Sequence, residues 1–294
     1  MPYSLGIELT NNCNLGCPFC ASGSGLSKRE KGYMPMELFE KIIRELSPYL
    51  LKTMLYFQGE SMMHPEFFAM LEGAGNMGVV ISTNGHFLDE ESCRRLSEAR
   101  LDKIIISIDG ISESSYLKYR KNGNHKKVMR GIEMLTYELG KRGRGKKLEL
   151  QVLVNKYNEG EMEKLLNYSK RVGSRIRFKS MQLDPATSDS NFLPEDKRFR
   201  RYDIKGGELS IRSRKPNNCY RLWTNPVISW DGKVLPCCFD KHARYVMGDI
   251  SRQTFEEIWR GSKYSAFRKK LLIKRSAIDI CNNCSEGLNR SVLT

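Results

Sequence analysis

Apolar positions follow two different spacings along the first 180 residues of the chain. Short runs of consecutive apolar residues predict strands, and longer stretches with apolar residues three or four positions apart predict helices. The predicted strands lie at residues 5–10, 53–57, 79–83, 103–108, 148–154 and 175–179, and the predicted helices at residues 35–48, 65–77, 89–99, 125–140 and 159–172. Strands that alternate with helices in this way predict an α/β fold whose parallel sheet is open or curved into a partial barrel.

The pattern weakens after residue 180. Several prolines interrupt residues 181–218, and the apolar spacing there is irregular. Farther along, Asp231-Gly232 between two short apolar runs predicts a hairpin, and helices are predicted near residues 254–259 and 264–272. We therefore predict three parts, which are a barrel at residues 1–180, a bridging segment at 181–218 and a small α+β domain at 219–294.

Polar and sulfur-bearing residues follow three of the predicted strands. Cys13, Cys17 and Cys20 come after the first strand, Gln58-Gly59-Glu60-Ser61 after the second and Ser82-Thr83-Asn84-Gly85 after the third. Parallel α/β sheets bind their ligands at the C-terminal ends of the strands. We therefore expect these residues at the ligand-binding edge of the sheet.

The composition is that of an ordinary water-soluble chain, with 40% hydrophobic and 28% charged residues among 294. The N-terminus has no signal-peptide pattern, and no apolar stretch approaches the ~18 residues that span a bilayer. We expect a cytoplasmic protein with no membrane partner. Nine cysteines are unusual in that compartment, where clustered cysteines more often serve metals or catalysis than disulfides.

The net charge of +15 allows nucleic acid, an anionic substrate or an acidic protein as a partner. The basic residues are spread along the chain, which favours solvated helix faces and loops. A small acidic electron donor such as flavodoxin or ferredoxin is the next interpretation, and nucleic acid is not expected.

The first cysteine loop has the spacing C-x3-C-x2-C, and Gly16 and Pro18 help it to curl. Four thiolates close a [4Fe–4S] cluster, whereas three leave one iron with the open position that a catalytic metal site requires. The alternative is a zinc site whose fourth ligand lies elsewhere. No histidine lies in this loop, which disfavours zinc.

With this motif after its first strand, the chain resembles the radical S-adenosylmethionine (SAM) superfamily over essentially its whole length. The resemblance implies a partial (β/α)6 TIM-like barrel in which Cys13, Cys17 and Cys20 bind three irons of a [4Fe–4S] cluster. It also implies that the fourth iron chelates SAM. Reductive cleavage of SAM then gives a 5′-deoxyadenosyl radical that abstracts a hydrogen from the substrate.

Further positions that match the family are expected to contact SAM. The Gln58–Ser61 segment stands where the family has Gly-Gly-Glu-Pro, which holds the SAM amino group, although Gln and Ser replace two of its four residues. Ser107 and Arg120 resemble the pair that holds the ribose and carboxylate of SAM, and a guanidinium can bind a carboxylate through two hydrogen bonds. The complete set of expected cofactor contacts is Phe19, Gln58, Gly59, Glu60, Ser61, Ser82, Asn84, Ser107, Asp109 and Arg120.

A second set of cysteines, Cys219, Cys237, Cys281 and Cys284, lies near the C-terminus. Four thiolates without histidine suit either zinc or a fully ligated iron–sulfur cluster, and the first motif favours iron. Their spacing resembles the SPASM/Twitch extension of radical SAM enzymes, and in particular that of the butirosin-pathway dehydrogenase that oxidises an amino-cyclitol. Because the chain ends soon after the last of them, we expect one auxiliary [4Fe–4S] cluster.

The resemblance implies an oxidoreductase that acts on an alcohol or amine carbon of a sugar- or cyclitol-type metabolite, with the auxiliary cluster as electron acceptor. Cys238 is an alternative ligand, a small buried residue or a hydrogen-atom donor, and the last role implies an epimerase of a sugar or peptide. A ribosomal-peptide maturase is less expected, because the first strand begins by residue 5 and leaves no room for a leading peptide-recognition domain. The interpretation from another class is a zinc protein that binds nucleic acid.

Overall fold

The computed structural model describes residues 1–25, 27–75, 77–143, 147–183, 190–206, 208–212 and 216–284. In chain order the strands are β1 (Ser4–Ile7), β2 (Lys52–Met54), β3 (Gly78–Thr83), β4 (Lys103–Ser107), β5 (Leu148–Val154), β6 (Arg175–Ser180), β7 (Tyr202–Lys205), β8 (Glu208–Ile211), β9 (Val227–Ile228), β10 (Lys233–Leu235) and β11 (Gly248–Asp249). The helices are α1 (Met36–Leu46), α2 (Phe67–Gly73), α3 (Glu90–Glu98), α4 (Glu113–Tyr119), α5 (His125–Lys141), α6 (Met162–Arg171), α7 (Arg221–Thr224), α8 (Phe255–Arg260), α9 (Ser262–Lys274) and α10 (Asp279–Asn282).

The described residues form two compact units. Unit 1 takes its residues from 1–12, 27–80 and 216–284, and unit 2 takes its residues from 13–25 and 81–212. The predicted domain boundaries at residues 180 and 218 stay predictions.

Unit 1 contains a sheet in the order β11-β10-β9-β1-β2-β3, to which β3 contributes its first residues. Strand β1 runs parallel to both β2 and β9, and β2 runs parallel to β3. Strand β10 is antiparallel to β9 and β11, so the predicted hairpin at Asp231-Gly232 is confirmed. Leu5 and Ile7 of β1 are fully buried and form part of the core.

Unit 2 contains the parallel strands β4, β5 and β6 and the antiparallel hairpin β7–β8. Ile104 and Ile106 of β4 are fully buried, as the continuous apolar run at residues 103–108 predicts, and Leu150 of β5 is fully buried too. A second group of buried side chains includes Leu15 and Cys17 of the first cysteine loop and Tyr119 of α4.

Several predicted elements are shorter in the structure, because polar and glycine contacts end them early. The strand predicted at residues 5–10 ends at Ile7, and Thr10 instead donates its hydroxyl to the carbonyl of Gly32 at 2.6 Å. The helix predicted at residues 65–77 ends at Gly73, since Gly75 has a φ of +70°.

Several elements were not predicted, namely α4, α7, α10, β11 and the β7–β8 hairpin. Helix α4 has a mostly polar sequence and is capped by Ser112, whose side chain accepts a hydrogen bond from the backbone N–H of Ser115. The β7–β8 hairpin lies in the segment predicted to be an irregular bridge. Among the described residues, no helix is both long enough and apolar enough to cross a bilayer.

Candidate functional site

The first cysteine loop, in unit 2, is held by hydrogen bonds within its own backbone. The N–H of Cys20 donates to the carbonyl of Cys17 at 3.2 Å, and the N–H groups of Gly23 and Ser24 donate to the carbonyl of Cys20 at 3.1 and 2.9 Å. A Cβ at Gly23 would stand 2.7 Å from the backbone nitrogen of Cys17. Only glycine therefore allows the chain to fold back this closely behind the cysteines.

The three thiols of this loop lie close enough to influence one another. Burial raises the pKa of Cys17 to about 12, Arg120 opposes that rise, and the thiols of Cys20 and Cys13 add to it. Amide and guanidinium donors lie near two of these sulfurs: Asn84 Nδ2 is 3.8 Å from Cys13 Sγ, and Arg120 Nη1 is 3.8 Å from Cys17 Sγ. Such donors stabilise the thiolates that iron requires, so the loop suits an iron–sulfur cluster.

Arg120 is fixed by a buried carboxylate. Its Nε and Nη2 lie 2.7 and 2.6 Å from Asp109 Oδ2, and the two side chains are 15% and 1% exposed. The backbone N–H of Leu153 donates to the other carboxylate oxygen at 2.6 Å. Burial works against the charge of Arg120, but Asp109 and the thiol of Cys17 outweigh it and raise the pKa of Arg120.

The sequence did not predict this ion pair. The resemblance to the family instead implied that Arg120 contacts the SAM carboxylate and that Asp109 contacts the same cofactor. The structure brings Arg120, Asp109 and Cys17 together within unit 2. Their contacts with SAM stay predictions.

The remaining predicted residues of unit 2 occupy different surroundings. Asn84 donates to Asn14 Oδ1 at 2.8 Å and so joins the end of β3 to the cysteine loop. Phe19 packs its ring edge-on against Phe192 at 4.9 Å between centroids, and also near Tyr119 at 6.3 Å. Ser82 and Ser107 are half-buried residues of β3 and β4.

The Gln58–Ser61 segment, in unit 1, forms a tight turn after β2. Gly59 has a φ of +78°, and a Cβ on it would stand 2.5 Å from the carbonyl oxygen of Thr10. The N–H of Glu60 donates to the carbonyl of Asn12 at 2.7 Å, and its buried carboxylate accepts from the N–H of Met62 at 3.2 Å. The turn therefore requires glycine and holds Glu60 against the residues that precede the cysteine loop in the chain.

Ser61 and Gln58 belong to the same segment as Gly59. The hydroxyl of Ser61 donates to the carbonyl of Leu55 at 2.7 Å, which is a structural contact, and Gln58 is half-buried.

The second cysteine set converges in unit 1 from separate segments. Cys219 precedes α7, Cys237 follows β10, and Cys281 and Cys284 lie in and after α10. The thiol of Cys237 interacts electrostatically with that of its neighbour Cys238 and with those of Cys284 and Cys281, and the thiol of Cys281 interacts with that of Cys219. Burial is the main cause that raises the pKa of Cys237 well above its ordinary range and that of Cys281 to about 11.

Two arginines lie close to cysteines of this region, one to Cys238 and one to Cys281. Arg221 Nη1 is 3.8 Å from Cys238 Sγ, and the buried Arg275 interacts electrostatically with Cys281. Sequence reasoning missed both arginines, because nothing distinguishes them from the many other basic residues of the chain.

Both cysteine sets offer thiols and no histidine as donors. Within the described ranges, no three Cys, His, Asp or Glu side chains converge closely enough to hold a single metal ion. A [4Fe–4S] cluster has one iron for each thiolate, so its ligands stand farther apart than those of a lone zinc. The donor type of both sets, thiolates without histidine, is the one that iron–sulfur clusters use.

Unit 1 also contains an open cavity of about 600 Å³. The residues that line it come from the segment after the cysteine loop, from the β9–β10 hairpin and from residues 242–246. They are Lys28, Arg29, Glu30, Trp230, Asp231, Lys233, His242, Ala243, Arg244 and Val246.

Comparison with models of protein families shows the family of this chain. Residues 7–169, more than half of the chain, match the model of the radical SAM superfamily. The chain belongs to the radical SAM superfamily. Residues 219–285 match a second model, that of the SPASM iron–sulfur cluster-binding domain. The predicted cofactors, SAM with a [4Fe–4S] cluster and auxiliary iron–sulfur chemistry, are thereby confirmed, and the assignment of individual cysteines to each cluster stays a prediction.

Two relatives illustrate the range of this radical SAM family. The tungsten-containing aldehyde ferredoxin oxidoreductase cofactor-modifying protein of Pyrococcus furiosus is 25% identical, over 96% of this chain and 86% of its own length. Mycofactocin maturase MftC of Mycobacterium tuberculosis is 24% identical, over 96% of this chain and 75% of its own length.

Solved structures of similar proteins show the fold. BtrN in complex with AdoMet and 2-DOIA has a TM-score of 0.63 at 21% identity, covering 99% of this chain and 97% of BtrN. AdoMet-bound anSMEcpe has a TM-score of 0.69 at 21% identity, covering 100% of this chain and 89% of anSMEcpe. The α/β fold of a radical SAM partial barrel with a C-terminal iron–sulfur domain is therefore confirmed.

Proposed function

We propose that this radical SAM enzyme oxidises an alcohol or amine carbon of a small polar metabolite such as a sugar or cyclitol. When bound at Cys13, Cys17 and Cys20, the [4Fe–4S] cluster and SAM supply the radical chemistry that removes one hydrogen atom from the substrate. The oxidation also releases a proton and a second electron, so the protein needs an electron acceptor. In this proposal the second cysteine set holds that acceptor, an auxiliary [4Fe–4S] cluster.

The observation that carries the proposal is the convergence of four thiols in unit 1. Cys237 interacts with Cys281 and Cys284, and Cys281 interacts with Cys219. Four cysteines supply one ligand to each iron and leave none open for a substrate. A closed cluster suits electron transfer rather than substrate coordination, which favours oxidation over a redox-neutral reaction.

The chain's own side chains prepare the first site. Arg120 places a positive charge beside Cys17, and Asp109 holds that guanidinium in one orientation. Asn84 offers an amide donor to Cys13. Hydrogen bonds and charges at cluster sulfurs tune the reduction potential, so these three residues are proposed to set the potential of the SAM-cleaving site.

Epimerisation with Cys238 as hydrogen-atom donor is less well supported. Cys238 directly follows the predicted cluster ligand Cys237, and its Sγ lies 3.8 Å from Arg221 Nη1. This position beside a cluster ligand favours a neighbour or alternative ligand of the auxiliary cluster over a hydrogen-atom donor.

Peptide maturation is the second candidate function. Among similar proteins, MftC is a maturase, and SuiB was crystallised with its precursor peptide SuiA and has a TM-score of 0.65 at 13% identity. These names support a peptide as the alternative substrate class.

The cavity of unit 1 is a proposed place for part of a polar substrate, since it combines the ring of Trp230 with charged groups. An acidic electron donor such as flavodoxin or ferredoxin is the proposed protein partner, because the net charge is +15.

The test is anaerobic turnover against sugar, amino-cyclitol and peptide panels, with 5′-deoxyadenosine and product mass measured together. Oxidation predicts a loss of two hydrogens and one 5′-deoxyadenosine for each product. Cys281→Ala should keep cleavage of SAM but lose oxidised product, whereas Cys93→Ala, a buried thiol outside both sets, is the matched control. Product formation undiminished in Cys281→Ala would count against the proposal.

A further inference from the structure

Arg275 is a buried cation in the part of unit 1 that carries the second cysteine set. Its exposed fraction is 1%, and it is among the largest fully buried side chains of the described chain. It follows the last residue of α9, where the chain forms a short 3-10 turn, Arg275–Ala277. Burying a guanidinium is costly unless hydrogen bonds and a negative charge compensate it.

Hydrogen bonds from Arg275 reach two segments that carry predicted cluster ligands. Its Nη1 donates to the carbonyl of Asn218 at 2.8 Å, one residue before Cys219. Its Nη2 donates to the carbonyl of Cys284 at 3.4 Å. One side chain thus connects the backbones at both cysteines, which are 65 residues apart in the chain (284 − 219).

A third contact fixes the backbone of Arg275 itself. Its N–H donates to Asn217 Oδ1 at 2.9 Å, and Asn217 Nδ2 donates to the carbonyl of Ile273 at 2.8 Å. The Asn217 side chain therefore bonds to both sides of the turn at the end of α9. This pair of bonds holds the backbone from which the Arg275 side chain extends.

The charge of Arg275 acts on the thiols. The oxygens that accept from its guanidinium at the distances above are neutral carbonyls. Its positive charge favours the thiolate of Cys281, although burial has the larger and opposite effect. A cluster with four thiolates carries net negative charge, and a buried cation beside it stabilises that charge.

We propose that Arg275 is a positioning residue for the auxiliary cluster: it connects the Cys219 and Cys284 segments, and its charge raises the cluster's reduction potential. This inference rests on the proposed function only in assuming that a cluster occupies the second cysteine set. A positive charge stabilises the reduced form, which carries one more electron.

Two other cations lie near Arg275 in the chain, and one of them provides a control. Lys274 precedes Arg275 directly but is exposed, so water and salt screen its charge. Arg268, also in α9, lies over the rings of Trp259 and Tyr264 at 4.2 and 4.3 Å from their centroids. Lys274→Met is therefore the matched control, because it removes one positive charge next to Arg275 without removing a buried one.

The experiment uses the full chain with Cys13, Cys17 and Cys20 all changed to Ala, so that only the auxiliary cluster is observed. Arg275→Met, Arg275→Lys and Lys274→Met are compared by iron and sulfide content and by redox titration followed by electron paramagnetic resonance. We expect Arg275→Met to lower the ratio of reduced to oxidised cluster at a fixed potential by about tenfold or more. This change corresponds to a fall of about 59 mV in the reduction potential for one electron. Arg275→Lys should have a reduction potential close to that of the parent variant, because it keeps the positive charge. Lys274→Met should have the same potential as the parent.

An Arg275→Met protein with full iron and an unchanged potential overturns the inference. If Arg275→Met takes up no iron, circular dichroism of the iron-free chain shows whether the variant is folded. A folded chain that does not hold the cluster supports a positioning role for Arg275. If both Arg275→Met and Arg275→Lys are unfolded, Arg275 has a packing role only, and the inference is overturned. A parent triple variant without any cluster would instead count against the proposed function, so the two failures are distinguishable.

Discussion

The ion pair between Asp109 and Arg120 gives the sharpest test of how the first site is built. Asp109 is buried and Arg120 is largely covered, and Arg120 Nε and Nη2 lie 2.7 and 2.6 Å from Asp109 Oδ2. Asp109→Asn removes the negative charge but keeps an oxygen for the N–H of Leu153, which now bonds Oδ1 at 2.6 Å. The substitution therefore leaves Arg120 charged, buried and without its carboxylate.

Breaking one side of a buried ion pair costs about 3–5 kcal/mol, because the remaining charge loses its compensation. With a urea slope of about 3 kcal/mol per molar, the unfolding midpoint of the iron-free chain should fall by about 1 M or more. Arg120→Met should cost a similar amount. The double variant should cost less than the sum of the two by about 2 kcal/mol, since it leaves no unpaired charge.

The assay is urea unfolding of the four iron-free proteins, followed by tryptophan fluorescence. Glu91→Gln at the exposed Arg94–Glu91 pair, 2.7 Å long, is the matched control and should leave the midpoint in place. Additive effects of the Asp109 and Arg120 substitutions, within about 0.5 kcal/mol, would refute the claim that these two groups depend on each other.

The other predictions concern single positions. Gly59→Ala should lower the melting temperature more than Gly75→Ala: both have positive φ (+78° and +70°), but only the first places a Cβ within 2.5 Å of a carbonyl. Equal losses would contradict this. Hydrogen bonds from Ser112, Ser115 and Ile111 outweigh burial and hold the pKa of Glu161 below its ordinary 4.5. The unfolded state therefore binds the proton more tightly, so stability should fall as the pH drops below about 4.5. Unfolding measured between pH 5 and 3 should show a smaller fall for Glu161→Gln, and an identical pH profile would argue otherwise. Cys238→Ala should retain oxidised product without incorporating solvent deuterium, as mass spectrometry will show, and loss of product would favour a direct role for this thiol.

The sequence was sufficient to predict the parts that depend on local pattern. Apolar spacing predicted the parallel strands, and the short spacing of Cys13, Cys17 and Cys20 predicted one loop that binds iron. The hairpin at Asp231-Gly232 also follows from residues that are adjacent in the chain.

Long-range pairs could not be predicted in the same way. Arg120 meets Asp109 only because α4 ends near the end of β4, and the capping of α4 by Ser112 is a weak signal in a polar stretch. Arg275 meets the carbonyl of Asn218 across 57 residues, and no local spacing indicates that contact. Burial of an arginine depends on the whole fold and leaves no periodic pattern in the sequence.

The most direct test of the central claim is reductant-dependent formation of 5′-deoxyadenosine from SAM by the anaerobically prepared protein. The wild-type chain and Cys281→Ala should both form it, because Cys13, Cys17 and Cys20 remain. The variant with those three cysteines changed to Ala should form none, while it still holds the iron of the second set. Formation of 5′-deoxyadenosine by that triple variant, or its absence from the reduced wild-type protein, would contradict the account.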